Sequence, residues 1–301
     1  MPEELPAAAA ARMAQLRASG TWGSALTSDE FAAVRGVSFE PAGQVFGAAV
    51  YSVGHEGYQC PATWRPSAQG TPVKPATQVS GQDDPGSFGP LVRAMGQARE
   101  TAMARLVAEC GQLGGHGVVG VRLSIGSFPA GGPEFLAIGT AVRARGAALA
   151  PQAPFTCSLS GQDFAKLVMT GWVPAGLVLG ISMGSRHDDL TTARQTRLTT
   201  GNAEVAGWTE LVGEARRDAR RQLAGDVRRF GAEGVVIETM PLRVRQRDCP
   251  AQVGRHDHVV EATFTGTAVT RFGPGGPRPA GPTLTVMSLN PERDQVSRIR
   301  I

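Results

Sequence analysis

The chain has 301 residues, enough for about two domains, and a hydrophobic fraction of 42% that supports ordinary cores. A net charge of +4 is too mild to argue for a nucleic-acid partner, and the basic side is nearly all arginine, as a GC-rich genome would give. The cysteines, Cys60, Cys110, Cys157 and Cys249, are widely spaced without a CxxC, which excludes a dense disulfide framework; no run approaches the roughly 18 apolar residues of a membrane span, and the start lacks a signal peptide's pattern, so a soluble, cytoplasmic protein is expected.

The N-terminal segment, 1–25, is alanine-rich and predicts a helix from Pro6 to Arg17. Thr27 or Ser28 then caps a short helix through Val34, with Asp29 and Glu30 in its first turn. Phe39 to Val53 is apolar and β-branched with glycines, which suits a buried strand with close backbone approach at Gly43 and Gly47. A long connection follows. Leu91, Met95, Ala98, Ala102, Leu106, Cys110 and Leu113 then recur at spacings of three and four, an amphipathic helix that Gly114 ends. Val118 to Ile125 and Phe135 to Val142 read as strands.

The same order then repeats. Leu26-Thr-Ser-Asp-Glu-Phe31 matches Leu159-Ser-Gly-Gln-Asp-Phe164, and Phe39 to Gly47 matches Trp172 to Gly180, at one offset of 133 (Leu159 against Leu26, Trp172 against Phe39). Gly117-Val-Val119 matches Gly234-Val-Val236 at 117, and Gly139 to Val142 matches Gly266 to Val269 at 127. Trp208, Leu211, Ala215, Ala219, Leu223, Val227 and Phe230 form the second long helix, closed by Gly231, with Val235 to Thr239 and Val259 to Val269 as its strands. The changing offset makes the first copy longer between first strand and helix, and the second longer between its last two strands. Insertions of this kind mark surface loops, where function concentrates. The fold class is therefore α+β, a tandem repeat of a small sheet with one long helix per copy. The copies span 26–146 and 155–273, with a linker at 147–154 and a Pro/Gly-rich tail at 274–301. So thin a unit gains by pairing its edges with another copy.

Four motifs carry a family resemblance: Pro41-Ala-Gly-Gln-Val-Phe-Gly47, Ala98-Arg-Glu-Thr-Ala-Met-Ala-Arg-Leu-Val107, Leu113-Gly-Gly-His-Gly-Val-Val-Gly-Val121 and Ala137-Ile-Gly-Thr-Ala-Val142. The second copy repeats them in Ala215 to Ala224, Phe230 to Val236 and Phe264 to Val269, without the Gly-Val after the turn. Both copies resemble the YbjQ family, whose members are often labelled heavy-metal-binding domain proteins. The resemblance implies an α+β fold that assembles through its sheet into closed rings, five-fold rings among them. It implies no particular chemistry and no particular ligands.

Cys249, His256 and His258 are the metal candidates, since thiolate and imidazole suit zinc or copper; the plain alternative is a polar hairpin with solvated histidines. His55, Tyr58 and Cys60 follow the first strand, and His187 and Asp188 hold the matching place in the second copy. They read as ligand or partner loops, or as ordinary polar connections. Arg216, Arg217, Arg220 and Arg221 make a basic face on the second helix, interrupted by acidic residues, more in keeping with a solvated stripe than a phosphate site. No nucleophile, phosphate-loop or zinc-hydrolase motif occurs, so no catalytic residue is assigned. The expectation is a non-enzymatic homo-oligomeric scaffold or binding module that needs no cofactor and self-associates in a ring. A stacked pentamer is favoured over copies alternating around one ring, with no membrane or nucleic-acid partner and room for a protein partner at the loops. A transition-metal-binding protein is the alternative and an unrecognised enzyme the third reading.

Overall fold

The computed structural model describes residues 5–20, 23–53, 58, 60, 77–81, 88–127, 132–146, 153–196, 201–249, 253–271, 284–286 and 297–299. Helix α1 (Ala7–Ser19) precedes the first repeat, which contains α2 (Ser28–Gly36), β1 (Phe39–Val50), β2 (Gln78–Val79), α3 (Gly89–Gln112), β3 (Gly117–Ser127) and β4 (Pro133–Ala144). The second contains β5 (Phe155–Thr156), α4 (Gly161–Met169), β6 (Trp172–His187), α5 (Leu190–Gln195), α6 (Ala206–Arg229), β7 (Gly234–Thr239), β8 (Leu242–Asp248) and β9 (His256–Arg271). A pair β10 (Leu284–Val286) and β11 (Ser297–Ile299) lies in the tail. The fold is α+β, with helices packed on two mainly antiparallel sheets.

Local chemistry sets the element ends. Thr27 and Glu30 form a reciprocal capping box on α2, and Ser160 accepts the Asp163 N–H at the start of α4. Gly114 and Gly231 take φ of 65° and 62° after the two long helices, a conformation that β-carbons disfavour. The two first strands even bulge alike, between Pro41 and Gly43 and between Pro174 and Gly176. Leu106 and Leu223, at matching places on α3 and α6, are both buried.

The sheets run β1-β4-β3-β5 and β2-β6-β9-β7, with β7 and β8 taking successive stretches of one edge of β9. Each sheet thus ends on a strand lent by the other repeat. β5 lies parallel to β3, and β2 lies antiparallel to β6. The cores merge as well. Ala98, Ala102 and Phe135 pack with Leu179, Ile181 and Val259, while Val34 and Val119 pack with Cys157 and Phe164. At the junction Arg99 donates to Asp226 at 2.9 Å and to the Leu177 carbonyl at 3.1 Å.

Several elements go beyond the sequence reading. β6 continues from Gly180 to His187, and β9 begins at His256 rather than Val259. β8 fills the extra length between the second copy's last strands, and β2 lies in the extra length of the first copy. β1 ends at Val50, three residues short of the expected Val53.

Candidate metal centre between the repeats

The extension of β6 and β9 has a direct consequence. Their antiparallel register sets His187 opposite Asp257, and His187 Nδ1 lies 2.7 Å from Asp257 Oδ1. Cys249 follows the last residue of β8, whose partner in the ladder is His256, so the hairpin carries it to the same end of the sheet. Its N–H donates to the Arg255 carbonyl. Cys60 arrives from the long connection of the first repeat. Its Sγ lies 3.2 Å from Cys249 Sγ, 3.4 Å from Asp257 Oδ1 and 3.6 Å from His187 Nδ1. One donor atom from each of the four residues falls within 4.8 Å of all the others.

All four side chains are buried, with exposures of 1% for Cys60, 7% for Cys249, 4% for His187 and 0% for Asp257. Tyr58 closes the group from the first repeat. Its hydroxyl donates to Asp257 Oδ2, its ring stacks on Phe88, and the Arg247 guanidinium lies 4.9 Å from the ring centroid. Burial first, and then the Asp257 hydrogen bond, push the Tyr58 phenol well above its ordinary range, so it stays protonated as a donor. Two sulfurs, one imidazole nitrogen and one carboxylate oxygen make a borderline donor set, suited to zinc and its neighbours and unsuited to calcium or magnesium.

Of the residues singled out in the sequence, Cys249, Cys60, His187 and Tyr58 come together here. His256 and His258 do not join Cys249. On β9 successive side chains alternate between faces, so these two flank Asp257 and point away from it. His256 pairs with the exposed Asp248, at 3.2 Å. His258 Nδ1 lies 3.0 Å from Asp188 Oδ1, which also accepts the Trp208 indole N–H at 3.1 Å. Asp188 thus organises a neighbouring polar cluster. His55 lies outside the described residues. On α6, Arg217 pairs with Glu214 and Arg221 with Asp218, Arg220 lies over the Phe264 ring, and Arg216 is exposed. Asp257 was missed in the sequence; the signal for it was register, since pairing Gly180 with Phe264 and counting outward sets His187 against Asp257.

A second feature lies at the far edge of the same sheet. In the first repeat β3 is covered, with Val119 fully buried beneath the Phe155–Leu159 segment and α4. Its counterpart on β7, Val236, is 37% exposed, and the adjacent Ile237 is 44% exposed. Between β7 and α4 runs a groove of ≈ 550 Å³ lined by Leu159, Asp163, Lys166, Leu167, Val236 and Ile237.

The arrangement of two long-helix repeats, each built on a mainly antiparallel sheet, defines the class, and comparison with known proteins gives the family: the chain belongs to the YbjQ family. A family model described as putative heavy-metal-binding matches residues 85–145, which hold α3, β3 and β4 and none of the four clustered donors. The chain is 33% identical over 259 residues to the encapsulin nanocompartment protein Rv1762c of Mycobacterium tuberculosis, covering 84% of this chain and 87% of that one. It is also 49% identical over 47 residues to a UPF0145 protein of Thermus thermophilus, covering 16% of this chain and 41% of that protein. No solved structure gives a significant match. Among the described residues, no helix is long and apolar enough to cross a membrane.

Proposed function

We propose that the chain is a non-enzymatic structural subunit that self-associates head to tail into a closed ring, using the uncovered edge of β7. The observation that carries this reading is the unequal treatment of two equivalent strands. β3 receives the Phe155–Leu159 segment through hydrogen bonds along its first half, from Phe155 N–H to the His116 carbonyl through to Gly120 N–H on the Leu159 carbonyl. At the offset of the repeat, the segment equivalent to 155–159 is 22–26, and the strand equivalent to β3 is β7. Among the described residues nothing pairs with the outer edge of β7. A Cβ on Gly23 would meet Gln44 on β1, and no residue of β7.

A surface that takes segment 155–159 within the chain is therefore matched by one that fits segment 22–26 of a neighbouring chain. Both segments are anchored alike in their own repeats: Ala25 N–H donates to Thr140 Oγ1 at 2.9 Å, and Ser158 N–H to Thr267 Oγ1 at 3.0 Å. Such a head-to-tail contact either closes into a ring or runs on as a filament. The name of the Mycobacterium tuberculosis relative, an encapsulin nanocompartment protein, agrees with a self-assembling subunit. The stacked pentamer expected from loop lengths would leave the edge of β3 to another chain. The intrachain β3–β5 pairing instead favours copies alternating around one ring. Native mass spectrometry of the full chain at micromolar concentration tests this. A discrete oligomer of whole chains is expected, and a clean monomer overturns the reading.

A further inference from the structure

We propose that Cys60, His187, Cys249 and Asp257 form a structural site for one zinc-class divalent cation per chain, and that the ion fastens the long connection of the first repeat to the sheet of the second. The inference stands on the geometry of the cluster and is independent of ring assembly.

The spacing is the first argument. A tetrahedral zinc ion with bonds of about 2.0–2.3 Å holds its donors roughly 3.3–3.8 Å apart. The sulfur–oxygen and sulfur–nitrogen separations of 3.4 and 3.6 Å lie in that range, while the two sulfurs, at 3.2 Å, are closer than the roughly 3.8 Å of two thiolates on one ion. The pair His187 Nδ1 to Asp257 Oδ1, at 2.7 Å, is closer too, because these two atoms share a hydrogen bond. An entering ion replaces that bond as the imidazole proton passes from Nδ1 to Nε2, and spreads the two atoms, like the two sulfurs, by about half an ångström. Four buried protein donors are the pattern of a structural centre rather than a catalytic one, which keeps a position for water or substrate.

The surroundings are the second argument. Tyr58 donates to the remaining oxygen of Asp257 and so orients the carboxylate toward the sulfurs. Ligation releases the two thiol protons to solvent, leaving two thiolates and a carboxylate around a divalent ion, one net negative charge. The Arg247 guanidinium over the Tyr58 ring is placed to offset it. A Cys60–Cys249 disulfide is the competing chemistry. Their sulfurs are 3.2 Å apart against about 2.05 Å in a disulfide, and a disulfide would leave the convergence of His187 and Asp257 without a purpose.

Cys60 comes from the extra length of one repeat and Cys249 from the extra length of the other, 189 positions apart in the chain. The additions that distinguish the two copies thus meet at one point. The family's putative heavy-metal label attaches to residues 85–145, whose buried Cys110 donates to the Gly117 carbonyl and whose Glu109 pairs with Arg12. That segment offers no comparable donor set among the described residues.

The test uses the full chain, purified with a reductant and without chelator. Its metal content is measured by inductively coupled plasma mass spectrometry, and the stripped protein is then titrated with Co²⁺. Expected are one equivalent of metal per chain and the intense visible bands and thiolate charge-transfer absorption of tetrahedral cobalt. Cys60→Ser and Cys249→Ser should abolish the charge-transfer signature or cut its intensity by half or more, and Asp257→Asn should weaken cobalt affinity by 10-fold or more. Stripping should speed hydrogen exchange at 77–81 and 242–249 while leaving α3 and α6 protected. A folded wild-type chain that takes up no cobalt overturns the proposal, whatever the variants do. So does a Cys60–Cys249 disulfide in protein isolated under reductant, or an unchanged cobalt spectrum in the Cys60→Ser/Cys249→Ser double variant.

Discussion

Gly47 and Gly180 occupy the same point of the two repeats, and a Cβ on either would run into the backbone of the helix crossing it, the Ala102 carbonyl in the first repeat and the Ala219 carbonyl in the second. The contact explains why strand and helix lie so close, and it predicts equal intolerance. Gly47→Ala and Gly180→Ala should each cost about 1–3 kcal/mol, since the obstruction is helix backbone and not a side chain that can turn away. Urea denaturation of each variant measures this; an unchanged midpoint for either would show that the helix shifts freely.

Deleting bulk at this interface should be equally symmetric. Leu106 and Leu223 are buried at equivalent positions on α3 and α6. Leu106→Ala and Leu223→Ala should each cost about 2–5 kcal/mol by the same measurement. A loss well under 1 kcal/mol at one site alone would mean that its repeat collapses around the cavity.

The repeat was legible in the sequence because its strongest constraints are local. Glycines at strand–helix crossings, capping residues and three-four spacing of apolar residues each leave a mark within a few positions. The centre was legible only in parts. Cys249, Cys60 and His187 drew notice by residue type, but nothing local links a cysteine to another 189 positions away. Asp257 was passed over because its neighbours His256 and His258 looked the better ligands, while strand alternation turns those two away. β8 escaped because Leu242 to Asp248 is largely charged and exposed, as suits an outer strand, and so lacks a buried face to announce it.

Cys110 and Cys157 behave differently from the clustered pair. Burial pushes each thiol up to about 12. At pH 8 the thiolate fraction is then on the order of 10⁻⁴, and reaction requires the thiolate. Iodoacetamide at pH 8 should leave both unmodified in the folded chain and label both after unfolding, as read by peptide mass spectrometry. Rapid native labelling of either would place it in a more open environment.

Arg99 and Asp226 test how far the repeats depend on each other. Their side chains are 10% and 14% exposed, and the pair joins α3 to α6 at 2.9 Å. Asp226 also accepts the Leu179 N–H and an Arg229 guanidinium hydrogen bond. Arg99→Met keeps the length of the side chain but removes the charge and strands the Leu177 carbonyl, and should cost about 3–5 kcal/mol. Because the pair spans both repeats, the loss should appear as one shifted cooperative transition. Two separated transitions would show that the repeats unfold independently.

The edge of β7 gives the sharpest test of assembly. Ile237 is 44% exposed and lies in the groove beside α4, away from the four clustered donors. In the isolated chain Ile237→Lys should change stability by less than about 1 kcal/mol, since exposed positions without special contacts tolerate substitution. In the assembly the lysine would be pressed against an incoming neighbour, where burying an unpaired ammonium is costly, and inward-facing charge is a known barrier to strand addition. The variant should therefore keep its circular dichroism spectrum and thermal midpoint at low concentration while native mass spectrometry shows a shift from oligomer to monomer. Val236→Lys, on the same strand and 37% exposed, should act alike. Arg216→Ala, on the exposed face of α6, should leave the oligomer intact as the control. An Ile237→Lys chain that assembles as tightly as the wild type would remove β7 from the interface and with it the head-to-tail arrangement.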